Sequence, residues 1–184
     1  MDFLQRVQAV LILDDSGKRL FAKYYCGEDT PPSSKALASL DKQRLLEQSI
    51  YAAFRGMSRA SNNWQDGNVL ILDGHSVIFQ LSEDIAFIVV GDCRDNELVL
   101  LTVLKTLVDS LREVLGTQMI GSREILEEYQ ALLLTVDELL DEGIVLETNS
   151  YSVAAEVSPY LADTGSEMTR KALSTVNKYL RENL

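Results

Sequence analysis

"NVLILDGHSVIFQLSEDIAFIVVG", Asn68 to Gly91, is the stretch on which the fold turns. It holds three apolar runs, "NVLIL" from Asn68 to Leu72, "SVIFQL" from Ser76 to Leu81 and "IAFIVVG" from Ile85 to Gly91, separated by "DGH" and "SED". Short runs rich in Val, Ile and Phe, joined by polar turns of hairpin length, read as an antiparallel meander. His75, the single histidine of the chain, falls in the first turn. It reads as a solvent-exposed turn residue, because no second ligand type is placed around it to make a metal or general-base site.

Upstream, "VQAVLILDDSGKRLFAKYY", Val7 to Tyr25, offers two more strands, Val7 to Leu13 and Leu20 to Tyr25. Between them "DDSGKR" has the residues of a turn: Asp and Ser bond the local backbone, and Gly17 takes a positive φ at no steric cost. Asp14 and Asp15 therefore read as turn residues rather than as a catalytic or metal-binding pair, which would need a nucleophile, base or histidine beside it. "CGEDTPPSS", Cys26 to Ser34, reads as a loop on its two prolines. Leu46, Ile50, Ala53, Phe54 and Met57 then fall at helical spacing. Lys42, Arg44, Glu47 and Arg59 supply polar positions, so about Lys35 to Arg59 reads as one amphipathic helix. Its exit, "ASNNWQDG", carries Trp64 as either a core cover or an exposed contact.

Downstream of the meander, "DNELVLLTVLKTLVDSLREVLG" carries two apolar rows on adjacent faces. One is Leu101, Leu104, Val108, Leu111 and Leu115; the other is Leu100, Val103, Leu107 and Val114. A helix apolar over so wide an arc is either a central core helix or one shared between its own sheet and another chain. "SREILEEYQALLLTVDELLDEG" reads as a further helix from an N-cap at Ser122 to a stop at Gly143. Its rows are Ile125, Tyr129, Leu132, Val136 and Leu139, and Leu126, Leu133 and Leu140. Asp137, Glu138, Asp141 and Glu142 crowd its carboxyl end against the helix dipole, a solvated acidic face or one that a basic partner or an arginine from elsewhere would neutralise. From Thr148 the chain reads as polar and irregular. "TGSE", Thr164 to Glu167, then looks like a capping box opening a last helix lined by Met168, Ala172, Val176 and Tyr179.

Composition sets the outer bounds. In 184 residues with 46% apolar content there is one real core. The net charge of −11 argues against binding a phosphate backbone and against electrostatic attachment to anionic lipid, so no nucleic acid is expected. Cys26 and Cys93 lie far apart with no ligand spacing, as reduced cytosolic thiols do. The opening "MDFLQRVQAVLILDDSG" shows no signal peptide, and its apolar run is far short of the roughly 20 residues of a membrane span. Phosphate-loop, dinucleotide and hydrolase motifs are absent, and no cofactor or metal is expected.

The order strand, strand, helix, three strands, two helices predicts an α+β fold, a five-stranded antiparallel sheet packed by helices. The stretches "VQAVLILDDSGKRLFAKYY", "GDCRDNELVLLTVLKTLVDSL" and "LLTVDELLDEGIVLETN" resemble, in collinear order over about Val7 to Asn149, the zeta subunits of coatomer. Those are relatives of the sigma subunits of clathrin adaptor complexes. The resemblance implies a longin-like domain over 1–147 with a polar linker and C-terminal helix over 148–184. It also implies a non-enzymatic subunit of the seven-subunit COPI coat. Such a subunit pairs with the trunk of the gamma subunit and is recruited through the complex by an Arf-family GTPase. It is cytoplasmic, peripheral on Golgi membranes and coated vesicles, and serves Golgi-to-ER and intra-Golgi transport. A sigma-type adaptor subunit and a free-standing longin regulator are the alternatives. Sigma subunits hold acidic dileucine signals in an apolar pocket. Val108 and Thr117 match that pocket, but Arg123 stands at an apolar position, and the role is not carried over. The expected partner interface is Ile50 and Phe54 on the first long helix with Leu100, Val103 and Leu107 on the second.

Overall fold

The meander closes on a two-residue turn in which Asp73 and Gly74 both take positive φ, 50° and 83°, as a turn matched to the strand twist requires. In the computed structural model, which describes residues 6–27, 32–56 and 67–161, this turn joins β3 (Asn68–Leu72) to β4 (His75–Ser82), and β5 (Ile85–Asp92) follows. With β1 (Ala9–Asp14) and β2 (Arg19–Tyr24) they make one antiparallel sheet in the order β2-β1-β5-β4-β3. β1 returns beside β5, Ala9 opposite Val90 and Asp14 opposite Ile85, so the first hairpin completes the sheet on the meander's far side. The five-stranded α+β architecture is the one the sequence predicts.

Both faces of the sheet are covered, and this explains why β1, β4 and β5 are nearly continuous apolar runs. Side chains alternate between faces along a strand. Ala9, Leu11, Leu13, Val77, Phe79, Ile88 and Val90 pack with Leu46, Ile50 and Phe54 of α2 (Leu40–Gly56). Val10, Ile12, Ile78, Phe87 and Val89 pack on the other face under α3 (Glu97–Leu115), α4 (Ser122–Glu127) and α5 (Tyr129–Leu139). The helix expected over Lys35 to Arg59 is two. A short α1 (Pro32–Ala36) opens on Pro32, a residue suited to the first helical turn, and Leu37 is then buried before α2 begins. The Gln43 amide donates to the Leu37 carbonyl at 2.8 Å and ties that break. Met57, Arg59 and Trp64 lie outside the described residues, as does the "TGSE" helix.

α3 is capped at both ends. The Asn96 side chain accepts from Leu98 N at 3.0 Å, and Gly116 ends the helix at φ 64°. The next helix is interrupted at Glu128, which leaves helical geometry at φ −115°, ψ 42°. After α5 comes an unforeseen hairpin, β6 (Leu140–Asp141) and β7 (Ile144–Val145), with its turn at Glu142 and Gly143. Gly143 O accepts from Val7 N at 2.8 Å, and a Cβ on Gly143 would stand 2.4 Å from Val7 O. Only glycine lets this turn close onto the start of the sheet. Residues 150–161, read as irregular, are helical (α6) and bury Val153, Ala154 and Val157. Asn149 caps α6 through Tyr151 N and Ser152 N, and Thr106 and Ser110 of α3 donate to the carbonyls of Thr148 and Ser150.

Candidate functional site

The first polar feature of the sequence is a turn by its bonds. One carboxylate oxygen of Asp14 accepts from Ser16 N, Ser16 Oγ and Lys18 N at 2.6–2.9 Å. The second polar feature was not foreseen: Glu47, placed among the polar positions of α2, is buried at 7% exposure. Arg19 of β2 donates to both of its oxygens, at 2.6 and 3.1 Å, and the Tyr24 hydroxyl donates at 2.8 Å. The three side chains fasten α2 to the sheet edge, a charge buried with its partners. Burial and the Glu47 carboxylate together hold the Tyr24 proton well above the ordinary phenol range.

His75 is not a solvent-exposed turn residue. It opens β4, is 8% exposed, and its Nδ1 lies 2.6 Å from Gln8 Oε1. Burial pushes its imidazole below the ordinary value of 6.5 against the opposing pull of Asp92 and Asp73. Asp92 is itself paired to Arg94. Among the described residues no group of three or more His, Cys, Asp or Glu side chains is arranged to hold a metal ion. No described helix is long and apolar enough to cross a membrane. The cysteines are unpaired.

The five residues expected at a partner interface lie in the chain's own core. Ile50, Leu100, Val103 and Leu107 are 0% exposed, and Phe54 is 9% exposed. Phe54 packs on Phe79 with ring centroids 5.8 Å apart. Leu100 fills the space left by Gly91, where a Cβ would meet its Cδ1 at 2.6 Å. The physical reason is the number of neighbours around α3: the sheet lies beneath it, α5 beside it, and α6 along Thr106 and Ser110. Both apolar rows are needed inside. Val108 is buried likewise.

Apolar side chains do face outward elsewhere. Val69 and Ile71 alternate out of edge strand β3 on the face that carries α3. Leu98, in the first turn of α3, is 68% exposed. One turn on, Leu101 lies over Gly67 at the entrance to β3. Along "NVLIL" every second side chain, Val69 and Ile71, is exposed, which the unbroken apolar run of the sequence does not announce. A second outward row, Leu126, Tyr129 and Leu133, follows α4 and α5 along β2, the opposite edge. Tyr129 meets Phe21 edge-on at 6.4 Å, and Lys23 pairs with Asp137 at 2.5 Å. The cation that reaches the acidic end of α5 is thus a lysine from β2. Leu140, read into this row, is buried.

In sequence and fold the chain is similar to known proteins. The family model for the clathrin adaptor complex small chain matches residues 6–163. Coatomer subunit zeta-1 of Bos taurus is 35% identical over 181 residues, covering 98% of this chain and 92% of the relative. The Homo sapiens zeta-1 subunit is 34% identical over the same coverage. Coatomer subunit zeta of Saccharomyces cerevisiae is 34% identical over 157 residues, 84% of this chain and 78% of the relative. Among solved structures, one chain of a homology model of the full-length AP-3 complex in a stretched open conformation superposes with a TM-score of 0.56 at 21% identity. It covers 89% of this chain and 98% of that one, a likeness of fold.

Proposed function

This chain belongs to the clathrin adaptor complex small chain family and, within it, to the coatomer zeta subunits, and from that premise we propose that it is the non-enzymatic zeta subunit of a COPI coat. In this reading it pairs with the trunk of the gamma subunit and reaches Golgi membranes only as part of coatomer, recruited by an Arf-family GTPase. There it serves Golgi-to-ER retrieval and intra-Golgi transport from the cytoplasmic side. The observation that carries the reading is the identity to zeta-1 subunits over nearly the whole of both chains.

The structure supports an assembly role in a physical sense. The Arg19–Glu47–Tyr24 and His75–Gln8 pairings are used internally, and among the exposed apolar side chains Val69, Ile71 and Leu98 stand near one sheet edge and Leu126, Tyr129 and Leu133 near the other. Since Ile50, Phe54, Leu100, Val103 and Leu107 are taken up inside, pairing with gamma falls to their outward neighbours, with Val69, Ile71 and Leu98 at its centre. Obligate interfaces commonly bury about 2,000 Å² or more, so this patch is the middle of a wider contact. The test is replacement of the zeta subunit in Saccharomyces cerevisiae by this chain. Growth with normal retrieval of ER-resident proteins is expected. A chain that is made and folded yet leaves retrieval lost would overturn the proposal.

A further inference from the structure

The carboxyl end of α5 carries more negative charge than the described residues neutralise. Asp137, Glu138, Asp141 and Glu142 are all exposed, at the negative end of the helix dipole and in the β6–β7 turn. Lys23 pairs with Asp137. Beneath them the Tyr25 hydroxyl has no hydrogen-bond partner among the described residues although Tyr25 is only 4% exposed. Such an orphaned group is costly to bury. Gly143 of the same turn rests against the Tyr25 ring, and Lys23 Nζ stands 5.3 Å from the ring centroid. After burial itself, Asp137, Glu142 and Asp141 are the groups that hold the phenol proton on.

The same side of α4 and α5 continues away from the cluster as Leu126, Tyr129 and Leu133, spaced three and four residues apart and leading to Asp137 four residues on. The surface is therefore apolar at one end and acidic at the other: along α5 it runs from Tyr129 through Leu133 to Asp137, roughly 12 Å, with Leu126 of α4 beyond the break at Glu128. We propose that it seats a basic amphipathic helix of a partner chain, with apolar side chains on Leu126, Tyr129 and Leu133 and arginines against Asp137, Asp141 and Glu142. Charge complementarity selects the cationic end. Arginine suits it over lysine because a guanidinium carries five donors, enough to bridge two carboxylates. The inference stands apart from the pairing with gamma, since it fixes the chemistry of the occupant and not its name.

The test uses the whole chain and three labelled synthetic helices of roughly 18 residues, about five turns, read by fluorescence anisotropy at physiological salt. The first peptide has a leucine stripe ending in three arginines, the second has those arginines replaced by glutamine, and the third keeps the arginines but has serine for leucine. Saturable binding of the first alone is expected. Asp137→Asn/Asp141→Asn/Glu142→Gln should weaken it roughly tenfold, three exposed charge pairs of ordinary strength. Leu133→Ser should weaken it several-fold. The control Glu113→Gln/Glu156→Gln, two exposed acids elsewhere on the surface, should leave it unchanged. Thermal melts check folding. The double variant Asp141→Asn/Glu142→Gln, which keeps the Lys23–Asp137 pair, carries the test if the triple variant unfolds. Equal weakening in the control, equally tight binding of the serine peptide, or no saturable binding would each overturn the proposal.

Discussion

Leu107→Ala tests the assignment of α3 to the interior. The Leu107 side chain is 0% exposed, in the cluster formed by β1, β5, α3 and α5. Removing a buried leucine to alanine costs its transfer free energy and leaves a cavity, about 3 kcal/mol for a site that relaxes partially. In a domain of this size that corresponds to a melting temperature lower by roughly 6–12 °C, and to a folded-to-unfolded ratio reduced by about two orders of magnitude. Leu133, on the outer side of α5, is 43% exposed, and Leu133→Ala should cost under about 1 kcal/mol. Paired urea and thermal melts of the two variants, read by circular dichroism, give the comparison. If Leu107→Ala melted within about 2 °C of the parent while Leu133→Ala did not, the buried and outer rows would be wrongly assigned. α3 would then be the partner-facing helix that periodicity alone allowed.

Other substitutions probe single devices of the fold. Gly143→Ala should destabilise by more than Gly74→Ala. Both lie near φ 80°, a strain of roughly 1–2 kcal/mol for a side chain, but only the Gly143 Cβ would meet a backbone oxygen, at 2.4 Å; equal losses in a urea titration would contradict this. Glu47→Gln keeps the shape of the α2 staple but removes the charge that Arg19 grips with two bonds, and should cost about 1–2 kcal/mol; an unchanged denaturation midpoint would show the staple to be idle. His75 prefers to be neutral in the folded chain. The unfolded state therefore takes up its proton first, and stability should fall as pH drops through 6.5 until the lower folded value is passed. His75→Gln should flatten that slope between pH 7.5 and 5.5, and a slope identical to the parent's would rule the residue out as its source.

The strands were legible because each carries its own local signal. "NVLIL" is β3 to the residue, and the runs of β4 and β5 fall within one residue of the structure at each end. The continuous apolar runs of β1, β4 and β5 carry the sign of two-sided burial, but not which elements supply the cover, and that is what misdirected the interface. A helix with two apolar rows looks partly unpartnered until α5 and α6 are seen to cover it, and α6 itself was hidden because only Val153, Ala154 and Val157 of its twelve residues turn inward. The break at Glu128 had no glycine or proline to announce it. Two-residue strands such as β6 and β7 are too short to show a period. His75 looked like a turn residue from its neighbours Asp73 and Gly74, whereas its partner Gln8 is distant in sequence and comes beside it through the β1–β5 and β4–β5 pairings together. The outward residues Leu126 and Leu133 were within reach of the sequence, since each sits opposite the buried side of its own element.

The measurement that bears most directly on the central claim is co-expression of this chain with a coatomer gamma trunk, followed by size-exclusion chromatography with light scattering. A stable one-to-one complex is expected, and Val69→Asp/Ile71→Asp should disrupt it without lowering the melting temperature of the isolated chain. A well-behaved monomer that ignores the trunk would contradict that claim.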